Sequence, residues 1–116
     1  MNPSFPPLFY YNAVVDSVYD GDTITCTIDC GFNMFMKKQK IRLLGINTPE
    51  LRGEEKEQGI IVRDILRNKI LGKKVILHTE KDKKGKYGRY LATIYYNNEN
   101  INQWLIDQGH AKVYGI

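Results

Sequence analysis

From Thr23 the chain alternates. Ile24, Cys26, Ile28 and Cys30 fall on one side, and Thr23, Thr25, Thr27 and Asp29 on the other. A period of two predicts a strand with one buried face. Upstream, Tyr10 to Val18 predicts a first strand with Val14 and Val15 inside it. Between the two lies Tyr19-Asp20-Gly21-Asp22, and Asp-Gly flanked by apolar runs is a hairpin signal. Gly31-Phe32-Asn33 turns the chain again, and Met34 to Leu44 predicts a third strand, so the chain opens as a β-meander.

The period then changes. Over Glu50 to Leu71, Ile61 and Ile65, with Val62, Leu66 and Ile70, recur at helical spacing and predict a helix with one apolar stripe. Glu54, Glu55 and Glu57 lie in its first turns and Arg67 and Lys69 near its end, as the helix dipole favours. Gly72 ends it, and Gly59 inside it reads as a weak point costing about 1 kcal/mol. Val75 to Thr79 predicts a fourth strand, Glu80 to Gly88 a long polar loop, and Arg89 to Tyr96 a fifth strand. After a turn at Asn97-Asn98, Asn100 with Gln103 three residues on predicts the capped start of a short helix. Ile101, Trp104 and Leu105 form its expected buried face, Gly109 its end, and Ala111 to Ile116 an extended tail. The predicted class is α+β, mainly β: a five-stranded Greek-key barrel of the OB type. One helix lies between strands three and four and a short one follows the last strand. Barrels of this type bind oligonucleotides over one face and its loops.

Size and composition narrow the partners. A chain of 116 residues with 42% hydrophobic content suits one folded domain, expected over 10–116. Pro3, Pro6 and Pro7 make residues 1–9 an extended lead-in. No apolar run reaches the ~20 residues of a membrane helix. The start has no basic residues and no continuous apolar run, so as written it is not a secretory signal. The expected compartment is the cytoplasm, unless the chain is processed from a secreted precursor. Cys26 and Cys30, on one strand, would be roughly 13 Å apart, too far for a disulfide, and they lack the second pair of a zinc site. Both read as reduced core thiols. The net charge is +4, with Lys37, Lys38, Lys40 and Arg42 clustered before the helix and Lys81, Lys83, Lys84, Lys86 and Arg89 after it. Two basic clusters suit a polyanion such as nucleic acid or, more plainly, two solvated surfaces.

The candidate chemistry follows from Ile41-Arg42-Leu43-Leu44-Gly45-Ile46-Asn47-Thr48-Pro49-Glu50. An arginine between apolar strand residues needs a partner, because an unpaired buried charge is costly. Arg42 is expected to face a groove and meet an anion there, either substrate or a structural partner such as Asp20 or Glu50. Three polar segments would meet at one rim of the barrel: Asp20, Asp22 and Thr23; Asn47, Thr48 and Glu50; and Lys86, Tyr87 and Arg89. Asp and Asn oxygens suit a hard divalent cation, arginines grip phosphate oxygens, and a carboxylate can deprotonate water. Each segment alone also has a plain structural explanation: a turn, a helix start at Thr48-Pro49-Glu50, and a solvated loop. His78 and His110 read as structural.

Taken together, Asp20-Gly21-Asp22-Thr23, Ile41 to Glu50, Lys86-Tyr87-Gly88-Arg89 and Gln108-Gly109-His110-Ala111-Lys112-Val113 make the chain similar to the staphylococcal nuclease (thermonuclease) family. The resemblance implies an OB-like barrel and a Ca²⁺-dependent endonuclease acting on DNA and RNA. The chain is expected to be a monomer. It implies water attack on phosphorus with cleavage on the 5′ side, leaving 3′-phosphate ends. By position, Arg42, Glu50 and Arg89 would be catalytic. Asp22, Asn47 and the Thr48 carbonyl would be metal ligands, with Asp20 behind them, and Lys86, Tyr87 and Tyr114 would contact substrate. The family's best-known member has Asp at the position of Asn47. A neutral amide oxygen implies weaker Ca²⁺ binding and leaves the metal's identity open. The chain also stops short of the family's long final helix, which reduces the expected base-stacking aromatics there to Tyr114. The alternative is an OB module that binds nucleic acid without cutting it. Against it, Asp20, Asp22 and Glu50 would repel a phosphate backbone unless a cation lay between them.

Overall fold

A computed structural model describes residues 9–81 and 90–115. In chain order the elements are β1 (Tyr10–Asp20), β2 (Thr23–Asp29), β3 (Phe35–Leu43), β4 (Ile46–Asn47), α1 (Lys56–Ile70), β5 (Lys74–Lys81), β6 (Tyr90–Tyr96), β7 (Glu99–Asn100), α2 (Ile101–Asp107) and β8 (Lys112–Val113). β1, β2 and β3 form the expected antiparallel meander. β5 pairs with the other edge of β1, and β6 pairs with β5. β6 then runs parallel to β3 from Ile41↔Tyr90 to Leu43↔Ala92, which closes five strands into an OB-like barrel.

The alternation predicted for β2 holds: Ile24, Cys26 and Ile28 point inward beside Ile41, Leu43, Leu77 and Ile94. Burying each such Ile or Leu contributes roughly 1.5–3 kcal/mol. Cys26 is fully buried, its thiol pushed up to about 12 by burial and by the nearby Asp16 carboxylate. Cys30 is half-buried, and both thiols are free.

Four features differ from the sequence expectation. The first helix begins later than Glu50: Arg52 is extended (φ −147°, ψ 164°), Gly53–Glu55 form a 3-10 turn, and only then does α1 start. Residues 50–52 therefore belong to the linker. The buried stripe of α1 is Gly59, Val62, Leu66 and Ile70, whereas Ile61 is 49% exposed. The short β4 and β8, seen as turn and tail in the sequence, pair with each other through Ile46↔Val113 and Asn47↔Lys112. Finally, α2 buries Ile101, Asn102 and Leu105, while Trp104 is half-buried beneath the Lys69 ammonium, 4.5 Å from its ring.

Asn102 is a polar side chain at a core position because three backbone groups need it. Its Nδ2 donates to Leu44 O (2.9 Å) and Ala92 O (3.0 Å), and its Oδ1 accepts from Ile94 N (3.1 Å). It ties α2 to the strand end from which the candidate site loop departs. The N-cap of α2 forms as expected, with Asn100 Oδ1 accepting from Gln103 N at 3.0 Å, but the Gln103 side chain donates to Asp107 Oδ1 at 2.9 Å and does not complete a capping box.

Candidate active site

The turn of the β1–β2 hairpin places two carboxylates side by side. Asp20 and Asp22 are 8% and 7% exposed. Asp20 Oδ1 accepts the backbone N–H of Asp22 at 3.0 Å, which fixes the tight turn. The Asp22 carbonyl accepts from Leu43 N at 2.8 Å, so the hairpin turn is stitched to the end of β3. Asp22 Oδ2 accepts from Thr48 N (3.1 Å) and Thr48 Oγ1 (3.2 Å), reaching across to the segment after β4. Its Oδ1 accepts from Thr23 Oγ1 at 3.1 Å. The hydroxyl of Thr48 is thus engaged with Asp22, and Thr48 is not the start of a helix.

Arg42 meets its anion here. Its Nη2 lies 3.6 Å from Asp22 Oδ2, in an ion pair whose side chains are 12% and 10% exposed. Nη1 donates to Leu43 O at 3.0 Å, and Nη2 makes a long contact of 3.5 Å with Asn47 Oδ1. The guanidinium also stands 5.7 Å from the Tyr114 ring centre, within cation–π range. Tyr114 N donates to Gly45 O at 2.9 Å, so the tail is held against the β3–β4 turn. The structure therefore brings Asp20, Asp22, Arg42, Asn47, Thr48 and Tyr114 to one lip of the barrel. Glu50, two residues beyond Thr48, is exposed and makes no hydrogen bond or ion pair among the described residues. Lys86, Tyr87 and Arg89 lie outside the described residues. A cavity of about 770 Å³ lies elsewhere, at the mouth of the barrel among Tyr11, Ile28, Met36 and Tyr90, and none of the acidic-lip residues lines it.

The charge balance of the lip is uneven. Burial, a hydrogen bond to Asp22 and the Asp22 charge together push the Asp20 carboxyl up to about 7 from 3.8. One guanidinium thus faces two carboxylates. Among the described residues there is no group of three or more His, Cys, Asp or Glu side chains placed to hold a metal. A cation here would rely on two carboxylates at most, completed by neutral oxygens such as Asn47 Oδ1 and the Thr48 carbonyl. That all-oxygen set fits a hard divalent ion.

A stability test follows from Asp20. Between pH 3.8 and about 7 the folded chain holds a proton that the unfolded chain has released. The associated stability is complete below pH 3.8 and is lost as pH rises through about 7. Asp20→Asn keeps an oxygen for the Asp22 N–H and removes the charge. In chelator it should be more stable than the parent by about 2 kcal/mol at pH 8, with the difference vanishing near pH 4. Urea denaturation at both pH values checks this.

Two glycines, read from the sequence as a hairpin turn residue (Gly21) and a weak point of the helix (Gly59), hold the lip together. A β-carbon on Gly59 of α1 would collide with the carbonyl oxygen of Glu50 and come within 3.0 Å of Pro49 O. A β-carbon on Gly21 would lie 2.6 Å from Val62 Cγ1 and 2.8 Å from Thr48 Cγ2 and Oγ1. One face of α1 therefore seats both acidic loops, and only residues without side chains permit the approach. The available signal was a glycine within a run of good helix formers, which usually marks a close packing contact.

Comparison with known proteins agrees with this architecture. The family model described as staphylococcal nuclease homologue matches residues 40–116. The chain is 34% identical over 130 residues to an uncharacterised protein of Methanocaldococcus jannaschii, covering 90% of this chain and 59% of that one. It is 32% identical over 98 residues to a thermonuclease of Staphylococcus hyicus, covering 82% and 54%. It is 30% identical over 114 residues to an endonuclease of Bacillus subtilis, covering 88% and 47%. The chain spans about half the length of the curated relatives it matches. With an OB-like barrel, two helices and a family match to residues 40–116, well over half of its length, the chain belongs to the staphylococcal nuclease homologue family.

Proposed function

We propose that the protein is a nuclease that hydrolyses phosphodiester bonds of DNA and RNA, with a divalent cation, Ca²⁺ in the first instance. The observation that carries this is the acidic lip itself. Asp22, buried and fixed by Thr48, faces Arg42 across the hairpin, with a second carboxylate behind it. A surface that merely binds polyanions has no use for two buried acids at its centre. Relatives named thermonuclease and endonuclease support the same activity.

Asp22, Asn47 and the Thr48 carbonyl would hold the cation, with Asp20 behind them, and when bound it supplies polarisation of the phosphoryl oxygens. The chain's own residues do the rest. Glu50 takes the proton of the attacking water. Arg42, held in place by Asp22 and Leu43 O, donates to an equatorial phosphate oxygen and stabilises its growing charge. Arg89 would be the second such donor. Attack breaks the P–O5′ bond, leaving a 3′-phosphate, and the departing 5′ oxygen takes a proton from solvent to become a 5′-hydroxyl. Lys86 and Tyr87 contact a terminal phosphate, and Tyr114 offers a ring to a base.

The test is digestion of single-stranded DNA across a series of divalent cations, with a chelator control. Cleavage with Ca²⁺ and none with chelator is expected. Asn47→Asp adds a unit of ligand charge and should lower the Ca²⁺ concentration for half-maximal rate about tenfold or more. An unchanged requirement would mean that residue 47 is not a ligand. Binding without cleavage under every cation would make the protein a binding module.

A further inference from the structure

The hairpin joining β2 to β3 carries groups that the acidic lip does not use. Phe32 at its turn is 98% exposed, Met34 64% and Phe35 53%. Lys37, Lys38 and Lys40 are exposed, and among the described residues none has an acid at ion-pair distance. The register shows how these groups line up. Arg42 stands opposite Thr23, Lys40 opposite Thr25 and Phe35 opposite Asp29. All three partners are on the outer face of β2, because Ile24, Cys26 and Ile28 face the core. Between Lys40 and Phe35 the strand bulges. Cys26 pairs with Gln39 but Ile28 with Met36, and Lys38 takes a positive φ of 56°. A bulge re-aims side chains and bends its strand. The outer face of β3 therefore runs from Arg42 through Lys40 and the bulge lysines to Phe35, with Phe32 beyond.

We propose that this outer face of the β2–β3 hairpin is a platform for single-stranded nucleic acid. Phe32 and Phe35 would stack bases, and Lys37, Lys38 and Lys40 would follow the backbone of the strand whose phosphate reaches Arg42. Cations at Lys40 and Arg42 are ~7 Å apart along the strand, and the line ends in aromatic rings. A basic track along the backbone combined with aromatic rings for the bases is how sequence-tolerant single-strand sites are built. The acids on this face are engaged locally: Asp29 accepts from Gly31 N at 2.9 Å, and Asp16 from Thr27 Oγ1 at 2.7 Å. A basic, aromatic strip could also meet an anionic membrane or a second copy of the chain. Its continuity with Arg42 on one strand favours the substrate. The inference rests on the proposed nuclease activity for what lies at the Arg42 end.

The experiment uses the whole chain carrying Glu50→Gln, in chelator, with fluorescent oligothymidylate of about 20 nucleotides as the probe. Phe32→Ala with Phe35→Ala should weaken binding about 10–100-fold. Replacing Lys37, Lys38 and Lys40 by Gln should reduce the slope of log affinity against log salt by about 2. In chains that retain Glu50, the same hairpin variants should cleave a thymidine nitrophenyl phosphodiester within about twofold of the parent rate, since that substrate is too short to reach the hairpin. Unchanged oligonucleotide affinity in both hairpin variants overturns the platform. So does a hairpin-dependent shift in binding to phosphatidylserine vesicles, or in sedimentation of the protein, without one for the oligonucleotide. If the parent cleaves neither substrate with any cation, the nuclease activity falls. Hairpin-dependent binding in that same protein would still support the platform.

Discussion

Glu50→Gln is expected to lower the rate of DNA cleavage by about 10²–10⁴-fold while leaving the melting temperature where it was. The two halves of the prediction have one cause. Glu50 is exposed and, among the described residues, has neither a hydrogen-bond nor an ion-pair partner, so the fold does not use its charge. Gln preserves its shape and removes only the ability to accept a proton. Arg42→Ala is the instructive contrast. It should also cost activity, about 10²–10³-fold, but it removes the cation from Asp22 Oδ2 and a hydrogen bond to Leu43 O. Two neighbouring carboxylates would then face each other with no guanidinium, and stability should drop by about 1–3 kcal/mol. Rates measured at saturating substrate and cation, beside thermal melts of both variants, separate the two roles. A Glu50→Gln protein that cuts within tenfold of the parent would remove Glu50 from the chemistry.

The barrel was legible because its signals are local. Strict alternation in β2, the Asp-Gly turn and the capping pattern at Asn100 each act within a few residues, and each appears in the structure as expected. Arg42 was legible too, since an arginine between Ile41 and Leu43 must find an anion. That its partner is Asp22, rather than Asp20 or Glu50, depends on pairing Thr23 with Arg42 across β2 and β3. What sequence could not show is long-range. β4 and β8 are two residues each, far too short for any periodicity, and they pair across 65 positions of chain from Asn47 to Lys112. Asn102 reads as a polar residue on a helix until the carbonyls of Leu44 and Ala92 are placed beside it. The late start of α1 depends on the extended linker at Arg52, which a helix-period count cannot detect.

Gly59 is where a local rule gives the wrong sign. In an exposed helix, Gly→Ala should stabilise by about 1 kcal/mol through helix propensity. Here Gly59→Ala should instead destabilise by about 1–3 kcal/mol, because the new methyl meets the Glu50 carbonyl. No rotamer relieves that contact, since the helix backbone fixes the β-carbon and its neighbour is main chain. Either α1 must lift or the segment Pro49–Glu50 must move away from it. The second movement displaces the proposed base, and a displacement of about 1 Å in a reacting group costs about 10²-fold in rate. The loss should fall on kcat rather than KM, at temperatures well below the melt. A double-mutant cycle identifies the cause: once Glu50 is Gln there is no base left to misplace, so Gly59→Ala should add little further loss in that background. Equal losses with and without Glu50 would mean that Gly59 supports the fold alone. Full activity in a folded Gly59→Ala protein would mean that the 49–50 segment can shift without consequence for the site.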